Sequence, residues 1–235
     1  MKKLPTIVLV HGALPAASAW NGVSGRLQDM GYTTVAPAIP LRSFNSDAEY
    51  LSAYLTTIDG PLILVGHSYG GSIISHPAMG NDHVKALVFV AAFAPDTGES
   101  MGELNGRFPG SKLDDATTVT REYPGGNDLY LRPEHFSDVY AADIPAPLVA
   151  LMAAGQRPLN VTALSETFDG APTWNSISSW AVVTTADYSL PADAQRFMAK
   201  RAASAVTEVD ASHAVPVSQP GAVVDVIEAA ARSVS

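Results

Sequence analysis

The segment LILVGHSYGGSIIS, residues 62–75, sets a short apolar run against a Gly-His-Ser-Tyr-Gly turn and then a second apolar run. Leu62 to Val65 reads as a buried strand and the residues from Ser72 onward as a helix. Gly66, Gly70 and Gly71 remove side chains that would collide in so sharp a strand-to-helix turn. Ser68 is left at the apex, with strained backbone angles and its hydroxyl at the carboxyl edge of the sheet. The N-terminal dipole of the following helix points at the same place. Those conditions suit a nucleophile. A five-residue Gly-x-Ser-x-Gly pattern also arises by chance in loops, but the strand before it, the helix after it and the extra glycine at 71 set this one apart.

A serine hydroxyl is a weak nucleophile and needs a base, which needs a partner to fix its tautomer and stabilise its cationic form. Of the six histidines, only His213 follows the last predicted strand, in VDASHAVPVSQP, where a loop carries it back toward Ser68. His11, His67 and His76 read as structural. His83 precedes a strand at the opposite edge, and His135 falls in an inserted segment, either lining a pocket or simply exposed. For the carboxylate, WAVVTTADYSLP places Asp187 at a strand end on the same edge, giving the chain order Ser, Asp, His. Asp96, just past the strand ending at Ala91, and Asp210, three residues before His213, are the rivals. Each of the three aspartates has an ordinary capping or turn role as its plainer explanation. A tetrahedral oxyanion at Ser68 requires preorganised donors. One is the backbone N–H of Tyr69; the other is that of Ala13, in IVLVHGALPAASAW, where His11 and Gly12 let the chain bend.

Positioning these groups requires a sheet. Short β-rich apolar runs alternate with segments of helical period, the pattern of a mostly parallel sheet covered by helices. The predicted strands are Thr6 to Val10, Thr33 to Ala36, Pro61 to Val65, Val84 to Ala91, Trp180 to Thr184 and Ala205 to Val209. Predicted helices include one capped by Ser46 or Asp47, one near Tyr69, one from Pro191 through Arg201 and one from about Gln219 to Arg232. The alternation stops at about residues 96–178, a stretch dense in Pro, Gly, Asn and Asp, whose later part predicts several short helices rather than a further sheet. No flexible linker flanks it, so it reads as a cap packed on a single domain of residues 1–235.

Composition removes whole classes of function. Fourteen Lys and Arg against twenty-three Asp and Glu leave a net charge of −9, with no basic stripe to follow a phosphate backbone or an anionic membrane. The absence of cysteine excludes disulfides, thiolate metal sites and thiol nucleophiles. The start, MKKLPTIVLVHGALPAASAW, imitates a signal peptide, but His11 and Gly12 break its apolar stretch, which reads better as a core strand. The expected location is the cytoplasm.

These segments, with GYTTVAPAIP, ALVFVAAFAPDTGES, RPEHF and AVVTTADYSLPADAQRFMAKRA, resemble the α/β-hydrolase superfamily over nearly the whole chain. More narrowly, the chain is similar to plant methylesterases, of the methyl salicylate esterase type, and plant hydroxynitrile lyases. The resemblance implies an α/β-hydrolase fold, a mobile helical cap, a triad of Ser68, Asp187 and His213, oxyanion amides at Ala13 and Tyr69, and neither cofactor nor metal. It departs from the cyanohydrin-cleaving relatives, which carry a lysine after the catalytic histidine and a threonine in the first turn. Here those positions are Ala214 and Gly12, so nothing obvious stabilises departing cyanide. Relatives that form a covalent alkyl-enzyme need an aspartate where Ser68 stands.

The expected activity is hydrolysis of a small or medium carboxylic ester with an apolar or aromatic part, through an acyl-enzyme. His135, Met152 and Trp174 are the named pocket residues, with Phe108, Tyr130, Phe136, Leu148, Leu151 and Phe168 as further apolar candidates in the cap. Two alternatives come from other classes. One is cofactor-free oxygenase or lyase chemistry with little need for Ser68 as nucleophile; the other is a slow-turnover small-molecule receptor. The expected partner is a small-molecule ester, with no nucleic acid and no membrane, for a monomer or homodimer.

Overall fold

The computed structural model describes residues 4–234, so Met1 to Lys3, the charged start of the segment weighed as a signal peptide, lie outside the described residues. Six parallel strands form the main sheet: β1 (Thr6–Val10), β2 (Thr34–Val35), β3 (Leu62–His67), β4 (Val84–Val90), β8 (Ser179–Thr184) and β9 (Ala205–Val209). Their spatial order is β2-β1-β3-β4-β8-β9. β1, β3 and most of β4 are buried runs of Ile, Leu and Val, as strands covered on both faces must be. Helices α2 (Phe44–Leu55), α3 (Tyr69–Ser75) and α8 (Ala192–Arg201) pack one face through Leu51, Ile73 and Met198. Helices α1 (Asn21–Asp29) and α10 (Pro220–Ser233) pack the other through Leu27 and Ile227.

The strand order reverses beside β1, with β2 on one side and β3 on the other. In an open parallel sheet the crevice outside the carboxyl ends at such a reversal is where ligands bind. The turns after β1 and β3, which carry Ala13 and Ser68, therefore meet there.

α2 begins earlier than the sequence suggests. Ser43 is its cap, accepting from the Ser46 amide at 3.5 Å, because Asp47 is committed elsewhere. The Asp47 carboxylate lies buried inside the first turn and accepts the Tyr69 hydroxyl at 2.8 Å.

The segment between β4 and β8 forms the cap. Its helices α4 (Met101–Gly106), α5 (Phe136–Tyr140), α6 (Ala146–Ala154) and α7 (Thr162–Ser165) are short, as expected. The expectation of a helical cap is corrected: β5 (Thr118–Tyr123), β6 (Gly126–Leu131) and β7 (Leu159–Asn160), the last within the later part expected to hold short helices rather than a further sheet, form an antiparallel three-stranded sheet. The β5–β6 hairpin turns at Pro124 and Gly125, the latter at φ 130°. Arg42 anchors it from the core, with an ion pair to Asp128 at 2.7 Å and its guanidinium over the Tyr123 ring. Leu131, Phe136, Val139, Tyr140 and Ile144 form a small apolar cluster of their own, closed below by Leu14 and Ala214 of the main domain. A short helix, α9 (Val215–Ser218), leads into α10. Among the described residues no helix is long and apolar enough to cross a membrane.

Candidate active site

Ser68 sits between β3 and α3 at φ 53° and ψ −122°, a conformation rare for any residue with a side chain. Its backbone holds it there: the amide donates to the Val90 carbonyl at 3.2 Å, and its carbonyl accepts from Gly71 at 3.0 Å and Phe93 at 3.2 Å. The elbow closes only without side chains at its contacts. A Cβ on Gly70 would lie 2.3 Å from the Val10 carbonyl oxygen, and one on Gly12 would lie 2.6 Å from the Ser68 Cβ. Gly12 thus lets the turn after β1 pass directly against the serine.

Three side chains from three loops meet in one hydrogen-bonded chain. Ser68 Oγ lies 2.8 Å from His213 Nε2, and His213 Nδ1 lies 2.6 Å from Asp187 Oδ2. With a carboxylate as acceptor, Nδ1 carries the proton and Nε2 is free to accept from Ser68. Asp187 is fixed from every side. Oδ1 accepts from the amides of Ser189 and Leu190, while Oδ2 accepts from Thr184 Oγ1 at 2.9 Å and Gln195 Nε2 at 3.0 Å. The rivals for that role do not reach the histidine: Asp96 accepts from Thr97, and Asp210 is an exposed residue near Thr185.

The histidines expected to be structural also frame the site. His67 is fully buried and donates from Nε2 to the His213 carbonyl at 2.9 Å, with the two rings 4.9 Å apart. Burial holds its pKa well below the usual range, with the neighbouring His213 acting in the same direction, so it remains a neutral donor. His11 accepts the Ile39 amide on Nε2 at 3.0 Å and donates from Nδ1 to the Gly12 carbonyl at 2.8 Å, pinning the turn that carries Ala13. Tyr69 turns its ring away to Asp47, leaving its amide in the first turn of α3, where no helical carbonyl is available to it.

His11 has a consequence for stability. Burial lowers its pKa from 6.5 to about 4, which the Gly12 carbonyl only partly offsets. Between these values the unfolded chain holds a proton that the folded one does not, so stability falls as pH drops through that window. A shift of this size corresponds to roughly 3 kcal/mol. Urea midpoints taken at pH 7 and pH 4.5 are expected to fall further apart in the wild type than in His11→Gln. An equal fall in both would show that another group senses the acid.

Ser68 opens into a cavity of about 560 Å³ bounded by the cap. Ala13 and Tyr69 lie at its floor beside the serine, and Met101, Phe108, Leu129, Leu131, Leu159 and Leu164 supply much of an apolar wall. Of the pocket residues named from sequence, Phe108 and Tyr130 line this cavity; His135, Met152 and Trp174 do not. Met152 borders a separate hollow of about 280 Å³ beside α6, with Phe136, Leu148 and Leu151. Trp174 is buried at the base of the cap, donating its indole N–H to the Pro95 carbonyl. His135 is half-buried at the end of a short 3-10 turn. Apolar residues at helical spacing do not reveal which face meets the cavity; the leucines of the unexpected hairpin do line it. Among the described residues no group of three or more His, Asp or Glu side chains is arranged to hold a metal ion.

The model of the alpha/beta hydrolase family matches residues 7–226. The chain belongs to the alpha/beta hydrolase family. Among curated relatives of this hydrolase, the alpha/beta hydrolase nvfD of Aspergillus novofumigatus is 28% identical over 97% of this chain and 96% of its own. Esterase PIR7B of Oryza sativa subsp. japonica is 29% identical over 94% and 93%. Methylesterase 1 of Arabidopsis thaliana is 25% identical over 84% of each. Among solved structures, polyneuridine aldehyde esterase superposes with a TM-score of 0.82 at 21% identity, covering 97% of this chain and 99% of that one. A plant esterase and a plant methylesterase among these relatives are similar to this chain over most of its length, which fits the branch expected from sequence.

Proposed function

We propose that this hydrolase is a serine esterase that cleaves small or medium carboxylic esters with an apolar or aromatic part. The observation that carries the reading is the Ser68–His213–Asp187 chain opening onto an apolar cavity. The esterases among its relatives support the same reaction class.

In the reaction, Ser68 Oγ attacks the ester carbonyl carbon while its proton passes to His213 Nε2, and the carbonyl oxygen takes up the negative charge. The amides of Ala13 and Tyr69 hold that oxyanion. Asp187 keeps Nδ1–H of His213 in place and stabilises the imidazolium. Collapse of the intermediate breaks the bond to the alkoxy oxygen, which leaves as alcohol with the proton from His213. Water then gives a proton to His213 and adds to the acyl carbon, and a second collapse releases the acid and returns the proton to Ser68. Atoms and charge balance with water alone, so the reading needs no cofactor and no metal. A small-molecule ester is the only partner it calls for, in a cytoplasmic monomer or homodimer.

Rapid mixing with p-nitrophenyl acetate and butyrate is expected to give a burst of p-nitrophenolate of about one equivalent, and a fluorophosphonate is expected to label Ser68. Neither burst nor label at full protein concentration would overturn the reading.

A further inference from the structure

The loops that carry the acid–base pair are held by the cap as well as by the strands below them. The Asp143 carboxylate, in the link between α5 and α6, accepts from the Ser212 amide at 3.1 Å and, through its other oxygen, from the Ser212 hydroxyl. Ser212 is the residue before His213. On the other side of His213, the Ala214 amide donates to the Tyr140 carbonyl at 3.0 Å, and the Tyr140 ring meets the imidazole edge-on at 5.0 Å. The same stretch of cap reaches the carboxylate loop, where Ser189 Oγ donates to the Val139 carbonyl at 2.9 Å.

We infer that Asp143 is a positioning residue for His213: by holding Ser212 from the cap, it sets the imidazole in line with Ser68 and makes the acid–base geometry depend on a seated cap. This rests on the serine esterase reading. Its physical reason is where the support comes from. His213 lies in the loop after β9, whose ends are held by the Ala186 amide on the Ala211 carbonyl and by the first turn of α9, while at His213 and its two neighbours the contacts come from His67 Nε2 below and the Tyr140–Asp143 stretch above. Burial raises the Asp143 pKa, but hydrogen bonds, those from Ser212 foremost with Ser218 adding to them, outweigh it and keep the group below the usual carboxylate range, so it is an anion at neutral pH. A charged acceptor holding two donors is among the stronger tethers a loop can have.

The test compares Asp143→Ala and Asp143→Asn with the wild type in ester kinetics and in the NMR spectrum of protein labelled with ¹⁵N-histidine. In Asp143→Ala, kcat is expected to fall roughly 10- to 100-fold with little change in KM, because a small displacement of a catalytic group costs rate and not binding. The far-downfield His213 Nδ1–H resonance is expected to broaden or vanish. Asn keeps one acceptor oxygen and should recover part of both. Wild-type kcat and an unchanged resonance in Asp143→Ala would overturn the proposal. So would a loss confined to thermal stability, with normal kcat per titrated site. If Asp143→Ala does not fold, Ser212→Ala provides the second variant; it keeps the backbone bond and should slow turnover several-fold by the same argument. Should the wild type hydrolyse no ester and take no phosphonate label, the esterase reading fails. The resonance comparison then still decides whether Asp143 positions His213.

Discussion

Ser68→Ala is expected to lower kcat for ester hydrolysis on the order of 10⁶-fold while the protein folds as before. On the serine esterase reading the variant loses the atom that forms the acyl bond, and neither His213 nor the proposed oxyanion amides can substitute for it. What remains is the effect of binding and of preorganised donors on attack by water, on the order of 10³ above the uncatalysed rate. The structural change is slight. Alanine has the same Cβ, so the Gly12 contact is unaltered, and the lost hydroxyl takes with it one hydrogen bond, to His213, of about 1 kcal/mol. A melting temperature within a few degrees of wild type, beside a vanished burst and label, is therefore the expected pair of results. Turnover above about one per cent of wild type, on any ester, would mean that Ser68 is not the nucleophile. Preserved turnover on a heteroaromatic substrate would instead bring forward cofactor-free chemistry driven by His213 and Asp187.

Asp187→Asn is expected to lower both activity and stability. The carboxylate accepts from five groups: the amides of Ser189 and Leu190 on one oxygen, and Thr184, Gln195 and His213 on the other. An amide has one oxygen to offer, and its NH₂ must face donors whichever way it turns. With the oxygen toward Ser189 and Leu190, the NH₂ meets His213 Nδ1 and drives the proton to Nε2, the tautomer that cannot accept from Ser68. A loss of about 10⁴ in kcat follows. Unpaired donors in a buried site should also cost about 2–4 kcal/mol, visible as a lower urea midpoint. Ser68→Ala and Asp187→Asn are thus separable, since the second should move the midpoint clearly further than the first. An activity loss below tenfold with unchanged stability would show that the carboxylate does not orient the base.

Much of this was readable before any coordinates. All six main-sheet strands lie where the sequence reading places them, within two residues at each end; for the central β1, β3 and β4 the reason is that a strand buried on both faces allows little but Ile, Leu, Val and Ala. The elbow was legible for a steric reason: Gly70 and Gly71 stand where any Cβ would strike a carbonyl oxygen at 2.3 Å. The meeting of Ser68, Asp187 and His213 could be expected because each follows a strand of the same parallel sheet, and such strands end at one edge. Other features left a weaker trace. The β5–β6 hairpin has the Pro-Gly-Gly turn signal, but its strands are half-exposed and stabilised by Arg42 from 86 positions away. Ser43, not Ser46 or Asp47, caps α2 because Tyr69 claims Asp47 across the fold.

The sequence alone therefore named the three residues that the fold brings into one hydrogen-bonded chain and the sheet that orders them, since both depend on local sterics and on burial that a run of residues displays by itself. Only the tertiary structure decided which cap residues face the cavity, that His67 and Asp143 hold the loop of His213, and that His135, Met152 and Trp174 lie elsewhere. Those outcomes depend on contacts between segments far apart in the chain, set by how the cap settles on the sheet, and no spacing within either segment records them.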